Sequence, residues 1–138
     1  MRFELLTLAG TKYKGEARSI HLKTATGEIG ILPHHEDLTT IVLPGAVTIN
    51  TAEGVEHLAC FGGMLQITGD AVRLLADEAE HSSDLIHEEI EAAIVHANQL
   101  LANAKTKHEL HHAQTLIDRH EVRLHVSSLR RRHHRRRR

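Results

Sequence analysis

The chain has 138 residues, 41% hydrophobic and 25% charged, the size and balance of one small soluble domain with an appendage. Aromatics make up only 2% and Trp is absent, which argues against a base-stacking platform for nucleic acid or an aromatic-lined sugar site. The net charge of −1 hides an asymmetry: residues 130–138 carry seven Arg and no acid, leaving −8 on the rest.

From the N-terminus to Asp77, short runs of apolar and polar residues alternate between glycines. The alternation predicts strands near 2–8, 11–14, 17–23, 28–32, 38–43, 46–51, 55–60, 64–68 and 71–76. All nine Gly and both Pro lie before residue 81. Thr51-Ala52-Glu53-Gly54 and Gly69-Asp70 read as hairpin turns. Many short strands with Gly-rich turns predict a small antiparallel β-sandwich over residues 1–80.

After His81 there is no Gly or Pro, and Ala, Leu, Glu and His dominate, as in helix. Ser82, Ser83 and Asp84 offer N-cap chemistry, followed by Glu88, Glu89 and Glu91 where a helix dipole favours acid. Ile86, Ile90, Ala93, Ala97, Leu100 and Ala104 form one apolar stripe; Leu110, Ala113, Ile117, His120 and Leu124 form another. A break at Asn103–Thr106 makes these an antiparallel two-helix hairpin over 81–129, with an Arg-rich tail at 130–138. Neither stripe is broad, so the hairpin needs a surface to lie on.

Several strings invite a chemical reading. His108-Glu109-Leu110-His111-His112 matches H-E-x-x-H, which on a helix chelates zinc, but a bare helical hairpin offers no cleft or third ligand. His34-His35 beside Glu36-Asp37 falls in a loop after Pro33, where exposed polar residues are ordinary. Cys60 lies in an apolar strand and reads as a small buried hydrophobe. Gly62-Gly63 lacks a following helix, so it marks backbone crowding or a bulge instead of a phosphate loop. No metal, cofactor or catalytic residue is expected. A lone Cys, a charged N-terminal segment and the lack of a ~20-residue apolar run suggest a reducing, cytoplasmic setting.

One run is more specific. Gly27-Glu28-Ile29-Gly30-Ile31-Leu32-Pro33-His34-His35 closely resembles the G-E-[IL]-G-I-[LY]-P-G-H signature of the epsilon subunits of F-type ATP synthases. Phe3-Glu4-Leu5, Gly15-Glu16, Leu43-Pro44-Gly45, Gly62-Gly63 and Leu74-Leu75-Ala76-Asp77 fall in register with further elements of that family. The resemblance implies a β-sandwich followed by a two-helix hairpin, in a non-catalytic rotor-stalk subunit at the cytoplasmic face of the cell membrane. It implies a sandwich that packs on the gamma subunit and rests on the c-ring of a proton- or sodium-translocating complex. It also implies a hairpin that lies folded, or extends toward the alpha/beta catalytic head and inhibits ATP hydrolysis.

Carried over by position, Glu28 and His35 stand at the family's c-ring contact. Arg119 and Arg123, four apart, with Arg130, Arg131 and Arg132 beyond them, make a basic face that the extended hairpin would bring to acidic segments of the head. Departures from the pattern matter as well. His34 replaces a family Gly, Glu36-Asp37 replaces Ala-Pro, and Phe61 replaces the Ser before Gly62. Some bacterial members bind ATP through [IL]-D-x-x-R-A at the first helix. Here Ile86, Glu89 and Ile90 occupy the Asp, Arg and Ala positions, so direct ATP binding is not expected. The rival reading is a small nucleic-acid-binding adaptor using the Arg tail; it ranks lower because the body is acidic, and no nucleic-acid partner is expected.

Overall fold

The period-2 runs fold as ten strands, and the computed structural model describes residues 1–137. In chain order these are β1 (Arg2–Thr7), β2 (Gly10–Glu16), β3 (Ser19–Thr24), β4 (Gly27–Ile31), β5 (Leu38–Val42), β6 (Gly45–Thr51), β7 (Gly54–Cys60), β8 (Gly63–Thr68), β9 (Ala71–Ala76) and β10 (Ala79–His81). One layer runs β10-β7-β6-β3, with β4 also on β3; the other runs β5-β8-β9-β1-β2. A single pair, Thr24 with Val42, joins the layers along one side. On the other side His81 Nε2 meets the Lys12 carbonyl, so the sandwich is nearly closed into a barrel. All pairings are antiparallel except β1 with β9.

The inward positions of both layers form one core, with Phe3, Leu5, Ile20, Ile31, Ile49, Leu58, Leu65 and Leu74 at 0% exposure. Each such side chain contributes about 1.5–3 kcal/mol of burial. Every member of this core comes from the strands or the turns between them, so the sandwich does not rely on the helices for its interior. Cys60 is one of its members; burial pushes its thiol up to about 11. Gly63 is required by crowding: a Cβ there would stand 2.2 Å from the Leu75 carbonyl oxygen.

The helices are α1 (His87–Ala102) and α2 (Lys107–Arg137), separated at the expected break. The start of α1 differs from the sequence reading. Ser82–Asp84 form a short 3-10 turn, and α1 begins at His87 after Ile86, with no side-chain cap. The chain has just left β10 there and turns through a backbone bond, Leu85 N–H to the Ser82 carbonyl at 3.2 Å. The α2 start is capped by side chains: Thr106 Oγ1 accepts from Glu109 N–H at 3.1 Å, and Glu109 Oε2 reaches back to accept from Lys105 N–H at 2.8 Å. The Glu of the H-E-x-x-H string therefore has a structural task, and His108, His111 and His112 are exposed. Within the described residues the Arg-rich segment continues α2, a helix of 31 residues or ~46 Å; Arg138 lies outside them.

The helices pack on each other, and α2 carries the contact with the sandwich, across β7 and β6. Of the two stripes, Ile90 and Ala97 on α1 and Ala113 and Ile117 on α2 are buried, while Ile86, Leu100 and Leu110 remain exposed.

Candidate functional site

The contact between α2 and the sandwich is the most elaborated polar site on the molecule. Ala79 points into the core, so the strand alternation turns Glu78 and Glu80 outward toward the helix. Arg119 and Arg123, one helical turn apart, reach down to meet them. Arg123 donates to Glu80 through Nε and Nη2, each at 2.8 Å, and Arg119 Nη2 pairs with Glu78. Phe61 lies beneath both, 8% exposed, with the guanidinium carbons 4.4 and 4.9 Å from its ring centroid. The hydrogen bonds from Arg123 hold the Glu80 carboxyl below its ordinary value, although burial opposes this. Glu80 in turn raises Arg123.

Between the two arginines lies His120. Arg123 Nη1 stands 3.1 Å from its Nδ1, and burial followed by the two guanidinium charges lowers its affinity for a proton. One turn further along α2, Val126 is fully buried against Ala59 and Phe61, with Ala46, Leu85 and Val122 around it. Ser127 Oγ meets His87 Nδ1 at 3.2 Å, and His87 Nε2 meets Glu91 at 2.9 Å, which ties the start of α1 to α2.

The basic residues divide into two groups. Arg119 and Arg123 are turned into the sandwich. Arg130 reaches only the Ser82 carbonyl at 3.4 Å, Arg131 stands 3.9 Å from Glu88, and Arg132 is exposed. Glu28 and His35 do not join this cluster. Glu28 lies exposed at the start of β4 opposite Lys23 and borders a groove under His125 and Leu129. His35 lies in the loop after β4, its Nδ1 2.7 Å from the Glu36 carbonyl oxygen. His34 takes a left-handed φ of 68°, the only positive value at a non-glycine position among the described residues. That conformation explains why the family signature carries Gly there.

Residues 1–82 match the ATP synthase, Delta/Epsilon chain, beta-sandwich domain. The ATP synthase epsilon chain of Delftia acidovorans (strain DSM 14801 / SPH-1) is 38% identical over 104 residues, 75% of this chain and 75% of its own length. This chain belongs to the ATP synthase epsilon family. The epsilon chain of Acinetobacter baylyi (strain ATCC 33305 / BD413 / ADP1) is 34% identical over 107 residues, 77% of each chain. The fold is shared with a chain in a cryo-EM structure of Euglena gracilis mitochondrial ATP synthase, with TM-score 0.76 and 20% identity over 86% of this chain and 76% of that one. A chain of the Tetrahymena thermophila mitochondrial ATP synthase central stalk and c-ring gives TM-score 0.59 and 12% identity, over 92% of this chain and 96% of that one. An epsilon chain is a non-catalytic subunit of its complex, which accords with a site built from structural ion pairs.

The sequence reading missed Glu78, Glu80, Phe61 and Val126 as parts of this site. A signal was present in the pairing of Glu-Ala-Glu with Arg-x-x-x-Arg, spacings that match one strand face and one helix face. Nothing in the sequence said that these two spacings meet.

Proposed function

We propose that the chain is a central-stalk subunit of an F-type ATP synthase whose sandwich docks on gamma and whose hairpin is a two-position regulatory element. The observation that carries this reading is an apolar row on the outer face of the sandwich. Ile41, Met64 and Leu75 come from β5, β8 and β9, stand in register, and are 58%, 50% and 52% exposed. Half-buried Leu6 on β1 continues the row. Large apolar side chains aligned across four strands on a solvent-facing sheet suit a protein partner. The row lies on the layer remote from α2, so docking there leaves the hairpin free to move.

In the packed position Arg119 and Arg123 are occupied by Glu78, Glu80 and Phe61. Extension would release the same guanidinium groups for acidic segments of the alpha/beta head, where they would hinder ATP hydrolysis. Glu28 and His35 would face the c-ring, and the chain would lie at the cytoplasmic face of the membrane as a peripheral part of the complex.

Co-purification with a gamma subunit tests the docking. The full chain and a truncation after Asp84 should both bring gamma down, because the main core needs no helix. Met64→Glu should weaken the complex at least tenfold without unfolding the sandwich. Undiminished binding by Met64→Glu would move the gamma contact elsewhere.

A further inference from the structure

His57 lies on β7 beneath α2 and is 8% exposed, with Nδ1 3.1 Å from Thr48 Oγ1 on β6. From α2, the His133 ring meets it edge-on, with centroids 6.5 Å apart. His133 Nε2 is itself buried with no hydrogen-bond partner. Arg130 and His134 of α2, His81 of β10, and Glu53 and Glu56 beside the β6–β7 turn line the same groove. His21 on β3 stands opposite Thr48, in a second groove under His125.

This surrounding suits a neutral imidazole and opposes a charged one. Burial lowers the proton affinity of His57, and His133 and His125 lower it further. The nearby carboxylates offset this little. Glu53 and Glu56 border the groove but act on Tyr13, whereas the charges that shift His57 are those of His133 and His125. Lifting α2 would expose His57 to water and take His125, Arg130, His133 and His134 away with the helix. His120 repeats the arrangement at the clamp, since its Nδ1 accepts from Arg123 only while unprotonated.

We propose that acid unlatches the hairpin: protonation of His57, assisted by His120, drives α2 off the sandwich while the β core stays folded. The proposal rests on the two-position hairpin described above. The packed position lowers the proton affinity of His57, whereas release to water restores its ordinary value near 6.5. Packing is therefore strongest above that value and weakens as pH falls through it. The loss levels off only below the depressed value of the packed state. Each histidine raises the released-to-packed ratio by up to about tenfold per pH unit in that window. The Arg123–Glu80 pair persists there, because its carboxyl is held below the ordinary carboxylate range.

The test is a distance measurement on the full isolated chain, with spin labels at Glu36→Cys and Gln114→Cys in a Cys60→Ala background. At pH 8 the short, packed distance should dominate. At pH 5.5 the long-distance fraction should rise severalfold, with the amide spectrum of the sandwich unchanged. His57→Gln should flatten this response while keeping a polar partner for Thr48. Should that variant fail to fold, His125→Gln with His133→Gln should make the response shallower. An acid response that keeps its full steepness through these changes, accompanies loss of the sandwich spectrum, or is absent from the parent chain overturns the proposal. The Arg119→Ala, Arg123→Ala variant at pH 8 separates the two readings. If it lengthens while the parent ignores acid, the hairpin moves and only the histidine latch falls; if neither lengthens, both fall.

Discussion

Arg123 holds both carboxylate oxygens of Glu80 at 2.8 Å, joining the middle of the last helix to the last strand across 43 residues of chain. Both side chains are largely withdrawn from water, at 17% and 33% exposure. The geometry is the bidentate fork that guanidinium alone can make, so Lys would not substitute. A withdrawn pair adds little net stability, but removal of one partner leaves the other unpaired. Arg123→Ala should therefore destabilise the packed hairpin by ~1–2 kcal/mol, a factor of about 5–30 in population. The same label distance, or protease sensitivity of α2, reads this. The Glu80 carboxyl is lowered in the packed state, so its contribution is present above the ordinary value of 4.5 and is lost as pH falls through the depressed one. A second, more acidic loosening of the hairpin should follow, and Glu80→Gln should abolish it.

Phe61 is the seat of the clamp, and its ring is a departure from the family pattern, which has Ser there. It carries two guanidinium groups on its face and Val126 against it. Phe61→Ser should cost the packed position about 3 kcal/mol, more than Arg119→Ala, because burial and cation–π contact are lost together. Melting of the sandwich should change far less, since Phe61 belongs to the small cluster under α2 and not to the main core. Equal losses in both measurements would refute this division.

The strands were legible because each satisfies one rule: inward residues alternate with outward ones between glycine turns. Val72 and Leu74 inside, Arg73 and Leu75 outside, show it plainly. β10 was not legible, since three residues hold no period. The cap at Ser82–Asp84 was misplaced because the same residue types serve 3-10 turns and helix starts alike. The Arg-rich segment carried composition but no apolar stripe; Arg has high helix propensity, and α2 simply runs on through it. The clamp depends on β10 lying beside β7 and on α2 folding back over both, a long-range fact that no local pattern encodes.

His34 occupies a left-handed conformation that most side chains avoid. His tolerates this better than a β-branched residue, so the strain is small but present. His34→Gly should leave stability within about 1 kcal/mol, whereas His34→Val should cost ~1–2 kcal/mol. Thermal unfolding of the two variants checks the contrast. If docking on the c-ring uses this loop, His34→Gly should preserve coupling and His34→Val should impair it.

Arg130 and Arg131 contribute little to the packed position, where they make only long, partly exposed contacts. Arg130→Ala with Arg131→Ala should shift packing in the isolated chain by less than ~1 kcal/mol, whereas removing 130–138 also takes His133 away from His57. If the extended tail meets acidic segments of the head, the same deletion should raise ATPase activity of the assembled complex at low salt and less at high salt, where screening already weakens that contact. Unchanged activity at both salt levels would make the tail a passive extension.

The first turn of α1 bears on nucleotide. Ile86 precedes the helix, and Glu88 and Glu89 lie in its first turn, with Glu91 just beyond. Glu89 holds the position where ATP-binding relatives carry Arg, and it would repel a polyphosphate. The structure adds a cationic side that the sequence motif did not include: Arg130, Arg131 and His134 of α2 line a groove with Ser83, His87 and Glu88. Those arginines are directed to Ser82 and Glu88, and engaging phosphate would strip Glu88 of its neighbour. Three carboxylates at one helix start then outweigh the half-buried Arg130 and the exposed Arg131, since such surface ion pairs contribute about 0–1 kcal/mol each. The isolated chain should show no saturable ATP binding at low-millimolar levels, and ATP should leave the label distance unchanged at pH 8. Glu88→Gln with Glu89→Arg should create weak binding, visible by calorimetry or by amide shifts confined to residues 84–92. Saturable binding by the unaltered chain would mean that the α2 arginines, not the helix motif, decide nucleotide affinity.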